Sequence, residues 1–519
     1  MKPARSASSA TLVSRTTAVE EPSFAAAFET LPSPRTTWSA PDDALVIGGG
    51  AAATLTASGP DRFAAIRTAS EELFSAGDVH AGTEAARPRV FGGFAFHEGA
   101  CAGDPWSPFP EARFVLPRVQ LTLADNGAWL TVTDVGADAS PDAVETRLER
   151  EVDRLAALGE ADEDAHGDPR RPPRPGISRQ RRTTSREAWH ESVSAAVERI
   201  RGGELRKVVL AQALEADLAA DFPRAATVER LAEKYPDCHR YCFEPDDGES
   251  VFFGATPERL VSLRGRTVET DALAGTTGRG ETPAEDEWLA EELLADEKNV
   301  HEHTLVAETV REQLEPYAAS ISAGERRVRR LATVQHLHTP ITAELDADRH
   351  VIELVEALHP TPAVGGLPPT QALETIHETE PFDRGWYAAP VGWIDAAGNG
   401  AFAVAIRSAV ASRRRATLFA GVGVVADSDP DREWDEIQLK YRPILDELED
   451  GGERREERSS RDGGERREER SSRDGGERRE ERSSRDGGER REERSSRDGE
   501  AGGAGDAGDS DPSEGRGSY

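Results

Sequence analysis

The chain has 519 residues, 97 acidic against 64 basic, and a formal charge of −33, a balance that disfavours binding nucleic acid by electrostatics. Hydrophobic residues make up 37%, enough for a sizeable core in more than one lobe. No stretch is apolar enough to span a bilayer and the N-terminus lacks an apolar targeting segment, so a cytoplasmic protein without a membrane partner is expected.

Acid spread over the whole body, scarce lysine and a single Met suit a salt-rich cytoplasm, where charge repulsion is screened. Cys101, Cys238 and Cys242 form no paired framework and read as reduced.

In chain order, residues 1–40 carry little pattern and are expected to be poorly ordered. Residues 41–160 read as a β-rich lobe. Strand-like runs at 44–47, 89–96, 113–116, 119–123 and 129–132 are interspersed with helices over 64–75 and 142–158. Gly92 and Gly93 lie inside one of those runs, either letting another backbone approach closely or making a tight turn. Acid, Pro and Arg without an apolar period mark 161–186 as a linker.

Residues 187–448 read as a dense globular domain. Helices are expected over 189–200, 284–317, 351–358 and 431–448, with strands at 208–214, 250–253, 387–394, 401–409 and 416–425. Strands and helices come in blocks without βαβ alternation, which points to an α+β fold of large antiparallel sheets flanked by helices. After Glu449 the unit Asp-Gly-Gly-Glu-Arg-Arg-Glu-Glu-Arg-Ser-Ser-Arg repeats four times, from Asp450, Asp462, Asp474 and Asp486. Each copy is neutral and without an apolar residue, so 449–519 is expected to be a disordered tail.

Five lysines stand in the whole chain: Lys2, Lys207, Lys234, Lys298 and Lys440. Lys207 lies at the mouth of the apolar run 208–213. There it is either a cation snorkelling at a strand edge or a desolvated amine able to act as a base, which an arginine cannot. Glu258 ends the apolar run of FFGATPERL (252–260). It is either a surface acid paired with Arg259 or a desolvated carboxyl with a raised pKa that can donate a proton near neutrality.

Glu302 sits at the boundary of an apolar helix face, while Glu433 and Glu436 share one helix face with Lys440 a turn on. Carboxylates from two helices, without clustered His or Cys, suit a hard ion such as Mg²⁺ or are simply solvated faces. Gly275-Thr276 and Gly421 offer close backbone approach to a small anion. Arg407, alone on an apolar strand, wants a carboxylate, from the protein or from a ligand.

Nine segments stand in order: RKVVLA, FFGATPERL, ALAGT, VQHL, LHPTPAVGG, YAAPVGW, FAVAIRSA, AGVGVV and EWDE with Lys440. Together they resemble the chorismate-utilising enzymes, and within them the isochorismate synthases, over about residues 187–446, with a weaker echo at 91–117. The resemblance implies a chorismate-binding α+β fold and Mg²⁺-dependent addition of water at C2 of chorismate with loss of the C4 hydroxyl.

It implies Lys207 as general base and Glu258 as general acid. Glu302 and Glu436 would be direct Mg²⁺ ligands, with Glu433 nearby. Arg407 and Tyr387 would meet the enolpyruvyl carboxylate, and Lys440, Gly421, Gly275, Thr276 and His336 would make further ligand contacts. Asn299 stands where many relatives have Asp. Lys207 in place of Gln argues for water rather than ammonia, so no glutamine amidotransferase subunit is expected. Ala274 argues against aminodeoxychorismate synthesis, and Ala363 in place of Thr favours stopping at isochorismate rather than going on to salicylate. A monomer serving menaquinone synthesis is the expectation by analogy.

Overall fold

The computed structural model describes residues 11–41, 43–164 and 172–450. Its first part consists of β1 (Thr11–Val19), α1 (Phe24–Thr30), β2 (Arg35–Ser39), β3 (Leu45–Ala57), α2 (Arg62–Phe74), β4 (Gly77–His80), β5 (Val90–Phe94), β6 (Ala112–Ala124), β7 (Gly127–Gly136) and α3 (Pro141–Asp164). The chain continues with β8 (Ile177–Arg182), α4 (Arg186–Arg201), β9 (Lys207–Leu218), α5 (Arg224–Lys234), β10 (His239–Phe243), β11 (Ser250–Thr256), β12 (Arg259–Arg264) and β13 (Thr267–Gly278). Helices α6 (Pro283–Ala295) and α7 (Glu297–Leu314) follow, then β14 (Ala318–Ala323), β15 (Arg327–Arg330), β16 (Val334–Leu345), α8 (Val351–Leu358), β17 (Gly366–Leu367) and α9 (Pro369–Thr379). The last elements are β18 (Pro390–Ile394), β19 (Gly400–Val404), β20 (Ser408–Ser412), β21 (Arg415–Val424) and α10 (Pro430–Leu448).

Strand pairing runs without a break through the described residues, and every pairing except β1 with β4 is antiparallel. One run is β8-β9-β21-β20-β11-β10-β2-β3. The other is β5-β18-β19-β12-β13-β16. Strand β6 joins them, pairing β3 and, through Ala112–Val115, also β5. The expected α+β class with large antiparallel sheets is what forms. The expected break near 161–186 does not separate two sheets, because β2 pairs β10 and β5 pairs β18 across it.

Three expectations need correction. Residues 11–39, expected to be poorly ordered, form β1, α1 and β2. Pairing of β1 with β7 along all nine residues, and of β2 on both edges, supplies what a Ser- and Thr-rich stretch does not advertise. The expected linker holds the end of α3 and the strand β8, which is exposed yet paired to β9. The single helix expected over 284–317 is two, broken at Asp296, whose side chain accepts from Asn299 N–H and caps α7. The repeats lie outside the described residues. No described helix is long and apolar enough to cross a membrane.

Most useful for chemistry is where the chain passes from one run to the other. It does so between β11 and β12, at Pro257-Glu258, and again between β19 and β20, at 405–407. The strand expected over 401–409 is therefore split, since Val404 pairs with β18 and Ser408 with β11. Hydrogen bonds tie the crossings together: Val404 N–H donates to Glu258 O (3.0 Å) and Ala255 N–H to Arg407 O (3.2 Å). Arg407 takes φ +53° there, a conformation unusual outside glycine.

Gly92 settles the role of the glycine pair in β5. A Cβ added to it would lie 1.8 Å from the Arg113 carbonyl oxygen of β6, so the close approach of backbones is real. Gly92→Ala is expected to cost about 3 kcal/mol by overpacking the strand that closes the two runs. An unchanged midpoint in denaturant unfolding would show that β5 and β6 can part without cost.

Candidate active site

The residues singled out from the sequence converge on one cavity between the two crossings. Its walls include Glu258, Gly275, Thr276, Glu302, His336, Ala363, Tyr387, Arg407, Gly421, Glu436 and Lys440. Lys207 and Glu433 are buried directly behind that wall. Lys207 opens β9, 1% exposed, and its Nζ lies 2.8 Å from Glu302 Oε1, so it is neither a snorkelling surface cation nor a free amine here. Opposite stands Gly423 of β21, where a Cβ would come within 2.6 Å of Glu302 Oε1 and 2.9 Å of Lys207 Cε. Glycine at that point makes the room in which the pair forms.

Glu258 is buried at the first crossing, while its sequence neighbour Arg259 pairs with Glu269 at 2.5 Å. Burial pushes the Glu258 carboxyl up to about 7, against the Lys207 charge and a 3.4 Å hydrogen bond from Thr361 Oγ1. For Glu302 burial acts the same way, but the charge and hydrogen bond of the Lys207 ammonium, with the charges of Lys440 and Lys298, together hold the carboxyl below its ordinary range. Two carboxylates in one cavity are thus driven apart, one protonatable near neutrality and one ionised.

At the second crossing Arg407 is buried, and among the described residues its guanidinium hydrogen-bonds His336 Nε2 alone, at 3.4 Å. No ion pair satisfies this guanidinium among the described residues. Burial, then the Arg407 charge, hold His336 well below its ordinary pKa. Because a guanidinium only donates, Nε2 accepts and Nδ1 carries the proton toward Thr276 Oγ1 at 3.0 Å. A buried cation whose polar neighbours cannot neutralise it calls for an anion in the cavity.

Among the described residues no three His, Cys, Asp or Glu side chains stand together ready to hold a metal. The reason is visible in the lysines. Lys207 engages Glu302, Lys298 engages Glu433 at 3.0 Å, and Lys440 engages Glu436 at 2.7 Å. Of the four described lysines only Lys234 lies elsewhere, paired with Asp446. Glu433 is raised by its burial and next by the charge of Glu436, with Lys298 opposing. An all-carboxylate donor set that gathers three ammonium groups to balance itself fits a hard divalent cation in their place.

Sequence reasoning missed Lys298 and Thr361. The scarcity of lysine was a signal for the former, whereas an isolated Thr next to Pro carries none. Lys207→Gln is expected to raise the titration midpoint of Glu258 above about 7, because it removes the strongest influence opposing burial. Infrared difference spectra of the carboxyl band against pH would report it. An unmoved midpoint would mean the two groups do not share one electrostatic environment.

A family model described as "Chorismate binding enzyme" matches residues 1–449. The "Salicylate biosynthesis isochorismate synthase" of Pseudomonas aeruginosa is 37% identical over 414 residues, 79% of this chain and 84% of that protein. "Isochorismate synthase MenF" of Bacillus subtilis is 35% identical over 372 residues, 71% of this chain and 76% of that protein. Among solved structures, MenF, the menaquinone-specific isochorismate synthase from Escherichia coli, superimposes with a TM-score of 0.70 at 28% identity, covering 85% of this chain and 96% of that one.

Proposed function

Since the chain belongs to the chorismate-binding enzyme family, we propose that it is an isochorismate synthase, an isomerase that adds water at C2 of chorismate as the C4 hydroxyl is lost. The observation that carries this reading is a buried carboxyl titrating near neutrality and a buried lysine at one cavity, whose other side offers an unneutralised guanidinium. That is an acid, a base and an anion hook around a space for one small molecule.

Lys207 takes a proton from the water that attacks C2, and the ring double bonds shift. Glu258 gives its proton to the hydroxyl leaving C4, so one water enters, one departs, and the ring is isomerised. Burial keeps Glu258 protonated until about neutrality, and Lys207 must give up both its contact with Glu302 and a proton before its amine can take one from water. Arg407 and Tyr387 receive the enolpyruvyl carboxylate; Thr276, His336, Gly275, Gly421 and Lys440 line the rest of the ligand space. Glu302 and Glu436, with Glu433 behind them, are the residues that would hold Mg²⁺, which when bound supplies positive charge for the ring carboxylate of the substrate.

Ala363 in the wall supports release of isochorismate without elimination of pyruvate. Delivery of the product to menaquinone synthesis is supported by the name of the E. coli neighbour. Lys207, a base for water where ammonia would need none, supports action without an amidotransferase subunit, and a cytoplasmic monomer is our reading by analogy.

The direct test is incubation with chorismate and Mg²⁺ in concentrated salt, with products resolved by chromatography. Isochorismate without pyruvate is expected; salicylate with pyruvate would make the chain a salicylate synthase instead. Lys207→Gln should retain substrate binding and lose turnover by roughly 10²-fold or more, the usual weight of a general base, and an unchanged rate would remove Lys207 from that role. kcat/KM should fall as pH rises past about 7, because the acid must be protonated and its conjugate base is useless. A profile flat across that range would exclude Glu258 as the donor. The acid-rich surface leads us to expect more activity in concentrated KCl than in dilute buffer, and equal rates in both would refute adaptation to salt.

A further inference from the structure

The edge of β9 is covered by β17 at Lys207 and Val208 and by β8 at Leu214–Leu218. Between them, around Val209–Ala211, no described strand pairs with it; Val209 N–H donates to Gly365 O at 2.8 Å, and the next groups along the edge are met by two side chains from beyond α9. Ala211 N–H donates to Glu380 Oε1 at 2.8 Å, and Val209 O accepts from Arg384 Nη2 at 2.8 Å. Glu380 and Arg384 are joined to each other by two bonds, Nε to Oε2 at 2.8 Å and Nη2 to Oε1 at 2.5 Å. Both side chains are buried, at 3% and 1% exposure.

The remaining contacts of Arg384 reach two further walls of the cavity. Its Nη1 donates to Val364 O at 2.8 Å. Val364 adjoins Ala363 and belongs to the loop whose Thr361 hydroxyl bonds Glu258. The Arg384 carbonyl accepts from Tyr387 N–H at 2.9 Å, and the guanidinium stacks on Phe96, 4.5 Å from the ring centroid. One side chain therefore touches the strand that carries Lys207 and the loop that carries Ala363 and Thr361, and its backbone holds the turn that carries Tyr387.

We propose that the Glu380–Arg384 pair is a positioning device for the active site, standing in for a missing strand on β9 and holding Lys207, the 361–364 wall and Tyr387 in one frame. A buried ion pair is not needed merely to fill this space, since apolar residues of similar volume usually serve stability as well or better. What apolar residues cannot do is terminate one N–H and two C=O groups from separate segments at fixed angles. Neither side chain touches the cavity itself, so the role is exerted through the residues it holds. The inference rests on the isochorismate synthase reading.

The test compares wild type with Glu380→Gln, which keeps an acceptor for Ala211 but leaves the guanidinium without its counter-charge. Turnover is expressed per folded molecule, with the folded fraction taken from near-ultraviolet circular dichroism. Misplacement on the ångström scale costs on the order of 10²-fold in kcat, with KM for chorismate held within about threefold because Arg407, Thr276 and His336 make no contact with the pair. The basic limb of the pH profile should also move upward, since a displaced Thr361 no longer bonds Glu258. A merely structural pair would lower the folded fraction and leave both kcat per folded molecule and the limb in place, and that result overturns the inference.

Should Glu380→Gln fail to fold, the double variant E380L/R384M goes through the same measurement. It fills a similar volume with apolar groups, leaves no charge alone and removes every polar contact of the pair with Ala211, Val209 and Val364, so a wild-type kcat in that folded variant would likewise overturn the inference. A wild-type enzyme that makes no isochorismate sinks the proposed activity and this inference with it. Turnover in wild type with no change in either variant sinks this inference alone.

Discussion

Ionised groups withdrawn from water must be paired or must change their protonation, and the cavity is arranged around that requirement. Lys207 with Glu302, Lys298 with Glu433 and Lys440 with Glu436 neutralise one another in a small volume. Glu258, which accepts only a Thr hydroxyl, meets the requirement by titrating near 7. Arg407 can do neither, and is left for a ligand to complete. The function of each group follows from how it escapes the cost of burial: the paired carboxylates are balanced by ammonium groups, the unpaired carboxyl holds a proton, and the lone guanidinium holds an anion.

The sheet makes this possible by changing course twice. Were β11 and β12 one continuous strand, Glu258 would alternate into a face of the sheet and pack or point to solvent like its neighbours. The crossing at Pro257-Glu258 instead takes the residue out of the ladder on one side and turns it into the cavity. The crossing at 405–407 does the same for Arg407, at the expense of a positive φ. Strain of this kind persists only where surrounding structure holds it, and the two hydrogen bonds between the crossings are that structure. Conversely, the edge of β9 just past Lys207, at Val209–Ala211, is closed largely by side chains rather than by a paired strand, which leaves space for the loop over 361–365 to enter the wall.

Much of this was legible in the order of residues. Apolar periodicity located α8 over Val351–Leu358 and nearly all of α10, because helix periodicity is a local property. The rarity of lysine in an arginine-rich chain pointed to Lys207, and the placement of Glu258, Arg407 and the carboxylates of α7 and α10 was suggested by polar residues set in apolar surroundings. Other features left no local trace. Thr11–Val19 looks like a solvated tail, yet β7 and β4 make it a strand. Asp296 interrupts what reads as one long helix because its side chain caps the second half. Glu380 and Arg384, four residues apart after a short helix, look like an ordinary surface pair, and their burial depends on β9 and the 361–365 loop arriving beside them.

The sequence by itself determined which residues could carry chemistry: an ionisable amine where arginine would otherwise stand, acids at the ends of apolar runs, a guanidinium among alanines and valines. Side-chain type and local apolarity are written residue by residue, and they limit what each group can donate, accept or titrate. Only the tertiary structure decided which of these groups share a cavity, which lysine answers which glutamate, and which acid remains unpaired. Those outcomes depend on strand pairings between segments far apart in the chain. The electrostatic state of a buried group is set by neighbours that the fold, and not the neighbouring sequence, supplies.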